Sequence, residues 1–228
     1  MKLSKRLLAV ASYLRGVALY DVGTDHAYLP IYAVEKLGVP YAEASDILPG
    51  PLKTAENNIR DKGLERKIKT FLRDGLGETA LPDVCDIVIA GMGGEMISGI
   101  ISQCPALRSP RVRLILQPMT KPDVLRRFLA ENGYEIVHEL IVIDKKPYAV
   151  IAAEYSGTVK TLSPVEAMIG DPGKHDDKES LGIYAERCIE RIEEAAEGKK
   201  LAGIDTKPES EMIEQLRMIC ANERHGTL

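Results

Sequence analysis

The segment "LYDVGTDHAYLP", Leu19–Pro30, decides the fold that we predict for this chain. An apolar run ends at Asp21, a glycine follows, and Asp25 and His26 come just before a segment with helical spacing. A buried strand that leads into a helix in this way is the repeating unit of a parallel sheet. Three ionisable side chains at one strand tip indicate either a ligand site or an unusual turn.

The same alternation of strand and helix continues along the chain. The strands are predicted at 17–22, 40–46, 67–72, 86–91 and 112–117. Two more strands, 134–144 and 148–156, are separated by a turn too short to hold a helix, so they form a hairpin. We therefore predict an α/β fold with a seven-stranded, mostly parallel sheet that ends in an antiparallel hairpin.

The C-terminal part of the chain has a different pattern. Residues 158–175 contain several helix breakers and are predicted to be a polar linker. Apolar residues then recur every three or four positions in two segments, which predicts an antiparallel coiled-coil hairpin. The two stripes are Leu181, Tyr184, Cys188, Ile192 and Ala195, then Met212, Leu216 and Ile219. This divides the chain into 1–157 and 158–228.

Composition narrows the class of protein. A chain that is 45% hydrophobic and 28% charged can form a core and stay in solution. No apolar run approaches the roughly 20 residues that span a bilayer, and the N-terminal stretch 1–16 is typical of an amphipathic helix, not a signal peptide. The four cysteines form no CxxC pair, so we expect a cytoplasmic protein with no metal.

The distribution of charge along the chain is compatible with a nucleic-acid partner. The net charge is −4, which by itself argues against such a partner. However, residues 1–157 carry 20 Lys and Arg against 19 Asp and Glu, whereas residues 158–228 carry 10 against 15. The first part can therefore hold basic patches that the total conceals.

Polar residues and glycines follow several of the predicted strands. The carboxyl ends of parallel strands meet at one edge of a sheet, where such folds bind ligands. Gly23 permits a left-handed turn and close approach of a ligand, and Asp46 has the spacing of an acid that binds ribose hydroxyls. The same edge is predicted to carry Asp74, Gly75, Gly91, Met92, Gly93, Gln117 and Pro118.

Each of these features also has a structural interpretation. Asp21 and Asp46 are suited to turns or helix caps, and Asp74-Gly75 is an ordinary turn dipeptide. His26 is as well suited to shaping its loop as to acting on a substrate. Acids after three strands and glycines after the fourth, all at one edge, favour a ligand site.

These residues resemble those of the class I S-adenosylmethionine-dependent methyltransferases. The match includes Asp-x-Gly after the first strand, an acid after the second, Asp-Gly after the third, and the closing hairpin. Together, "DVGTDHAYLP", "RDGLG", "IAGMGGEMI" and "LILQPM" resemble the bacterial tRNA adenine-N1 methyltransferases that modify adenine 22 in the D-arm. That family also has a C-terminal coiled coil. The resemblance implies a Rossmann-like fold, S-adenosylmethionine as cofactor and tRNA as partner.

The resemblance also implies roles for single residues. Asp25 and His26 are the candidate catalytic residues: a carboxylate stabilises the cationic methylated ring, and the imidazole orients the base or accepts a proton. The chain has no Asn-Pro-Pro-Tyr after the fourth strand, so the mechanism of amino-group methyltransferases does not transfer. The implied cofactor-binding residues are Asp21, Gly23, Thr24, Asp46, Ile47, Asp74, Gly75, Gly91, Met92 and Gly93.

Substrate contacts are expected around the same edge. Adenine N1 takes part in base pairing, so a paired target must first be unpaired or flipped out. Tyr28 and Tyr32 are candidate stacking residues, although packing is an alternative for both, and Gln117 and Pro118 would lie across the mouth. Candidate phosphate contacts are Lys2, Lys5, Arg6, Arg108, Arg111, Arg113, Lys121, Arg126 and Arg127, each of which taken singly is more often a solvated surface cation.

Other functions fit the same residues. One is a methyltransferase for a small molecule or protein, with the coiled coil as a dimerisation element. Another is a nicotinamide-dependent oxidoreductase, which the absence of GxGxxG disfavours. A third is an RNA-binding scaffold without catalysis. The sequence leaves the oligomeric state open between a monomer and a weak dimer.

Overall fold

The architecture is one mixed sheet with helices on both faces. A computed structural model describes residues 3–225, with side chains as far as residue 221; the candidate phosphate contact Lys2 lies outside the described residues. Within this range the strands are β1 (Ala18–Val22), β2 (Ala42–Asp46), β3 (Ile68–Leu72), β4 (Cys85–Gly93), β5 (Val112–Thr120), β6 (Tyr134–Asp144) and β7 (Lys146–Tyr155).

The strands lie in the order β3-β2-β1-β4-β5-β7-β6. The strands β1 to β5 are parallel to one another, whereas β7 runs antiparallel to both β5 and β6. This confirms the predicted Rossmann-like sheet with its closing hairpin. The order reverses between β1 and β4, so the carboxyl ends of these two strands flank the point where such folds bind ligands.

Helices cover the two faces of the sheet and bury alternate strand residues. In β4, Ile87 and Ile89 face one core while Val88 faces the other, as the period of two in a strand requires. None of the helices within residues 3–225 is long and apolar enough to cross a membrane. The helices are α1 (Lys5–Ser12), α2 (Tyr28–Lys36), α3 (Pro49–Asp61), α4 (Gly94–Ser102), α5 (Pro122–Glu131), α6 (Pro164–Ile169), α7 (Lys178–Leu201) and α8 (Lys207–His225).

The segment predicted to be a polar linker contains a packed helix, α6. Ser163 and Glu166 form a capping box at its start, with proline in the first turn. Val165, Ala167 and Ile169 are buried in the core of the sheet. The prediction for 158–175 is therefore wrong over these residues, because the cap and the apolar positions of one short helix were hidden among breakers.

The last two helices pair in antiparallel fashion, as predicted. Arg217 of α8 contacts Glu193 of α7 at 2.8 Å, and the residues on the apolar stripe of α7 are buried as far as Ile192. Beyond that point the stripe moves by one position: Ala195 is exposed and Ala196 is half-buried. The first half of α7 and the end of α8 share one hydrophobic core with α4, α5 and the sheet.

A buried ion pair joins α5 to β6. Arg126 is fully buried, and its Nη2 donates to Oε1 of Glu139 at 2.5 Å. Its Nη1 donates to two backbone carbonyls at the end of α6, at 2.9 and 2.6 Å. Burial opposes the charge, but the Glu139 carboxylate raises the pKa of Arg126 above its usual value. The predicted phosphate contact at Arg126 is therefore wrong, because its guanidinium is enclosed and occupied.

Loss of the Glu139 charge should destabilise the whole fold. In Glu139→Gln the Arg126 guanidinium stays buried without a counter-charge, which typically costs about 3–5 kcal/mol. Urea unfolding measures this loss directly. Lys53→Ala, which breaks the exposed Lys53–Glu56 pair, is the control and should cost less than about 1 kcal/mol. Equal losses in the two variants would contradict a stabilising role for the buried pair.

Candidate active site

A cavity of about 270 Å³ opens where β1, β4 and β5 end. Its walls come from the loop after β1, the tips of β4 and β5, and the start of α1. The structure brings many of the predicted site residues together here. Those that line the cavity are Asp21, Gly23, Thr24, Asp25, His26, Tyr28, Gly91, Gln117 and Arg6.

The loop between β1 and α2 is held in one shape by its backbone. The N–H groups of Gly23 and Thr24 both donate to the Ser45 carbonyl of β2 at 2.8 Å. Gly23 has φ +77°, and the loop ends at Ala27, which is left-handed with φ +54°. The Thr24 hydroxyl accepts from the Ala27 N–H at 3.2 Å. These bonds fix the side chains between them at the rim of the cavity.

Asp21 is a buried acid at the base of the cavity. Asp21 is only 8% exposed to solvent. Burial raises the pKa of Asp21 to about 6, a hydrogen bond from Thr24 lowers it, and the nearby Asp46 raises it further. A carboxyl held in this state favours a ligand with positive charge, since such a ligand would stabilise the ionised form.

Asp25 and His26 form a pair at the mouth of the cavity. Nε2 of His26 lies 3.1 Å from Oδ2 of Asp25, whose side chain is 76% exposed. The imidazole stacks on Tyr28 with ring centres 4.9 Å apart, and Asn58 of α3 donates to the His26 carbonyl at 3.0 Å. Within the described residues, Nδ1 of His26 is buried without a hydrogen-bond partner. The pair therefore presents a charge and an aromatic face side by side.

The tips of β2 and β3 lie at the same edge, outside the wall of this cavity. Asp46 pairs in register with Leu72, so the acid after β2 and Asp74 after β3 are close along the edge. Oδ1 of Asp46 accepts from the Leu48 N–H at 2.7 Å, so Asp46 also has the turn role considered for it. Ile47 is 61% exposed and adds apolar surface beside the carboxylate.

The glycines of this edge allow close packing. A Cβ on Gly23 would lie 2.0 Å from the methyl carbon of Met92, so the methionine side chain covers the turn. Gly75 is left-handed and packs against Ile100 of α4. Gly93 follows a bulge in β4, where the pairing with β5 shifts. Met92, Gly93 and Gly75 thus shape the edge without lining the cavity.

Several predicted substrate residues lie elsewhere. Tyr32 is half-buried and packs against the apolar core beneath α2. Arg108 and Arg111 precede β5 and so lie at the opposite edge of the sheet from Gln117. Pro118 is buried and lines a separate cleft, and Lys5 is exposed without lining the cavity. The geometry therefore does not bring these five residues to the site.

The start of α1 is part of the wall, which the sequence indicated only through Arg6. Ser4 and Leu7 line the cavity beside it, as do Leu29 of α2 and Ala90 of β4. Ser4 caps α1 by accepting from the Leu7 N–H at 3.2 Å. A serine one position before an amphipathic helix is a recognisable cap, but nothing in that pattern places the cap near a strand tip.

Comparison with known proteins identifies the family. Residues 3–151, more than half of the chain, match a protein family described as a methyltransferase domain. This chain belongs to that methyltransferase family. A tRNA (adenine(22)-N(1))-methyltransferase from Bacillus subtilis (strain 168) is 38% identical over 156 residues, which cover 68% of this chain and 66% of that protein.

Solved structures of this methyltransferase's relatives agree over the whole fold. A Streptococcus pneumoniae protein in complex with S-adenosyl-L-methionine has a TM-score of 0.78 and 32% identity, and the match covers 96% of this chain and 100% of that one. The Bacillus subtilis m1A22 tRNA methyltransferase TrmK has a TM-score of 0.73 and 27% identity, with coverage of 98% and 97%. The predicted resemblance is confirmed, and the oxidoreductase alternative is not favoured.

The pKa of Asp21 leads to a test of stability against pH. Folding raises this pKa from 3.8 to about 6. The contribution of Asp21 to the free energy of unfolding is therefore fully present below pH 3.8, where the carboxyl is protonated in both states, and it is lost as the pH rises through 6. Asp21→Asn stays neutral, so it should stabilise the ligand-free methyltransferase by about 2–3 kcal/mol at pH 7.5 and hardly at all at pH 4. Urea unfolding at both pH values measures the difference.

The exposed Asp25 supplies the control for that experiment. Asp25→Asn should change stability little at either pH, since its carboxylate is already solvated. If Asp21→Asn did not increase the free energy of unfolding at pH 7.5, burial would not raise the pKa of Asp21 as its surroundings indicate.

Proposed function

We propose that this protein transfers a methyl group from S-adenosylmethionine to N1 of adenine 22 in the D-arm of tRNA. The observation that carries the proposal is the cavity at the switch point. It sets a glycine turn and a buried acid next to an exposed acid and an aromatic stack. The B. subtilis relative, a tRNA (adenine(22)-N(1))-methyltransferase, supports the choice of substrate.

The residues of the edge fit S-adenosylmethionine. Gly23 lines the cavity in a left-handed turn, so a ligand can lie against the side of its backbone that the Met92 side chain leaves uncovered. Asp21 supplies a buried carboxyl for the positive groups of the cofactor, and Asp46 supplies oxygens for ribose hydroxyls. The exposed Ile47 and the neighbouring Asp74 would hold the adenine ring and its amino group. When bound, S-adenosylmethionine supplies an electrophilic methyl group.

The protein's own residues have to orient the target base. Adenine N1 carries a lone pair at neutral pH, so no strong base is needed before methylation and alignment is the main requirement. The His26–Tyr28 stack at the rim offers a flat surface for a base that has left its duplex. Methylation at N1 makes the ring cationic, and the Asp25 carboxylate at the rim would stabilise that charge.

The cellular location, the domain division and the oligomeric state are less closely tied to the cavity. A tRNA substrate is consistent with the predicted cytoplasmic location. The division at residue 157 and the choice between a monomer and a weak dimer stay predictions. A methyltransferase for a small molecule or protein would share the cofactor site and differ in what enters the mouth of the cavity.

Methyl transfer to defined RNA tests the proposal. The protein is incubated with S-adenosylmethionine and an unmodified tRNA transcript that has adenine at position 22, and the nucleosides are analysed by mass spectrometry. We expect 1-methyladenosine from this transcript and none from a matched transcript with guanine at that position. Transfer to neither transcript, or equal transfer to both, would overturn the assignment.

The role of Asp25 can be separated from cofactor binding. Asp25→Asn should lower kcat by roughly 10- to 100-fold, since the positive charge that develops on the base loses its counter-charge. The Kd for S-adenosylmethionine, measured by calorimetry, should stay within about threefold because the exposed carboxylate does not support the glycine turn.

A surface acid at the far edge provides the matched control. Asp83→Asn removes a carboxylate that is 88% exposed and should leave both kcat and Kd unchanged. If Asp25→Asn weakened cofactor binding as much as turnover, its role would be to shape the loop.

A further inference from the structure

A second cavity, of about 400 Å³, lies beside the active site. It is bounded by the end of β5, the turn between β6 and β7, and the middle of α7. Four basic side chains line it, and none of the described residues in its wall is acidic; the cations are Lys121, Lys146, Arg187 and Arg191. In a chain with a net charge of −4, this basic cleft is a local concentration of positive charge.

The basic cleft adjoins the active-site cavity along β5. Gln117 of β5 lines the active site, and the next residues on the strand, Pro118 and Met119, line the cleft. Arg6 stands between the two. Its Nη1 donates to the Met119 sulfur at 2.7 Å, and its guanidinium carbon lies 4.9 Å from the centre of the Tyr148 ring in the cleft wall. A chain of phosphates leaving the active site would meet the cleft directly.

The cations of the basic cleft are available to an anionic partner. Arg187 pairs with Glu190 and Lys121 with Glu95, but both pairs are more than half exposed. Exposed pairs of this kind contribute little, so each cation can exchange its carboxylate for a phosphate. Lys146 is exposed and lies over the Tyr148 ring at 5.3 Å.

The two arginines are arranged to act together. Arg187 and Arg191 are one helical turn apart, so they lie on the same face of α7. Tyr184 and Cys188 of the same helix are buried and form part of the cleft wall, so this stretch of α7 is anchored in the core. A guanidinium binds phosphate oxygens in a bidentate fashion, which suits a polyphosphate backbone.

We infer that the basic cleft binds the phosphate backbone of the RNA next to the target nucleotide. This inference rests on the proposed function, since it assigns a path to the same substrate. RNA is favoured over an acidic protein segment because the cleft lies next to the cavity that the target base must enter. The C-terminal helices would then contribute to RNA binding through two residues, despite the acidic composition of that part of the chain.

A pair of double variants tests the inference. Arg187→Gln with Arg191→Gln removes two cleft cations, and Lys200→Gln with Lys207→Gln removes two charges from the distant end of the helical pair. Binding of a tRNA transcript is measured over a series of salt concentrations. In the cleft variant we expect Kd to rise roughly tenfold, and the slope of log K against log salt to fall by about 1–2.

Further measurements separate an effect on RNA binding from an effect on folding. The thermal midpoint and the Kd for S-adenosylmethionine should be unchanged in both double variants. The conservative double variant, Arg187→Lys with Arg191→Lys, should keep most of the tRNA affinity because it keeps the charge. The distant double variant should bind tRNA as the unaltered protein does.

The outcomes distinguish this inference from the proposed function. Unchanged tRNA affinity and salt slope in the cleft variant would overturn the inference, while methyl transfer by the unaltered protein would leave the function standing. Loss of affinity for a polyglutamate peptide but not for tRNA would also overturn it, in favour of a protein partner. If the cleft variant loses tRNA binding although the unaltered protein methylates no tRNA, the cleft assignment holds and the function fails.

Discussion

The buried pair between Arg126 and Glu139 is the contact on which the arrangement of the molecule depends. It joins α5 to β6, and the same guanidinium holds two carbonyls at the end of α6. Because α6 leads into α7, this interaction sets the position of the C-terminal helices against the sheet. A charge that is removed from water requires a fixed partner, so the geometry around it has little freedom. The basic cleft lies between β5 and α7, so its shape depends on the position of α7.

The active site depends on a different constraint, the convergence of parallel strands at one edge. Each strand contributes the few residues that follow it, and the loop after β1 contributes most of them. Backbone bonds to Ser45 hold that loop, and the side chains of Asp25 and His26 project where the loop meets solvent. A buried acid, Asp21, lies at the base of the cavity and an exposed acid, Asp25, at its rim, so the two carboxyl groups are in different environments.

Residues defined by their position after a strand could be predicted from sequence, whereas those defined by packing between distant segments could not. Asp21 lies at the end of β1, and Gly23 and His26 lie in the loop after it, so strand prediction alone places them at the edge of the sheet where the cavity opens. The phosphate contact predicted at Arg126 is wrong because its partner, Glu139, lies on another element and helical spacing does not reveal which face meets the core. For the same reason, the sequence does not decide whether Tyr32 stacks on a substrate or packs in the core. The helix α6 is not predicted because six residues are too few to show a helical period among the neighbouring prolines and glycines.

The shared core of the sheet and the last two helices limits how the chain can be divided. Leu181, Tyr184 and Leu216 are buried in the same apolar cluster as the residues of β4, β5 and α5. A fragment that stopped after β7 would leave that cluster open to water on one side, and the uncovered apolar surface would favour aggregation. The helical hairpin that carries two of the cleft arginines is therefore also a cover for the core of the sheet.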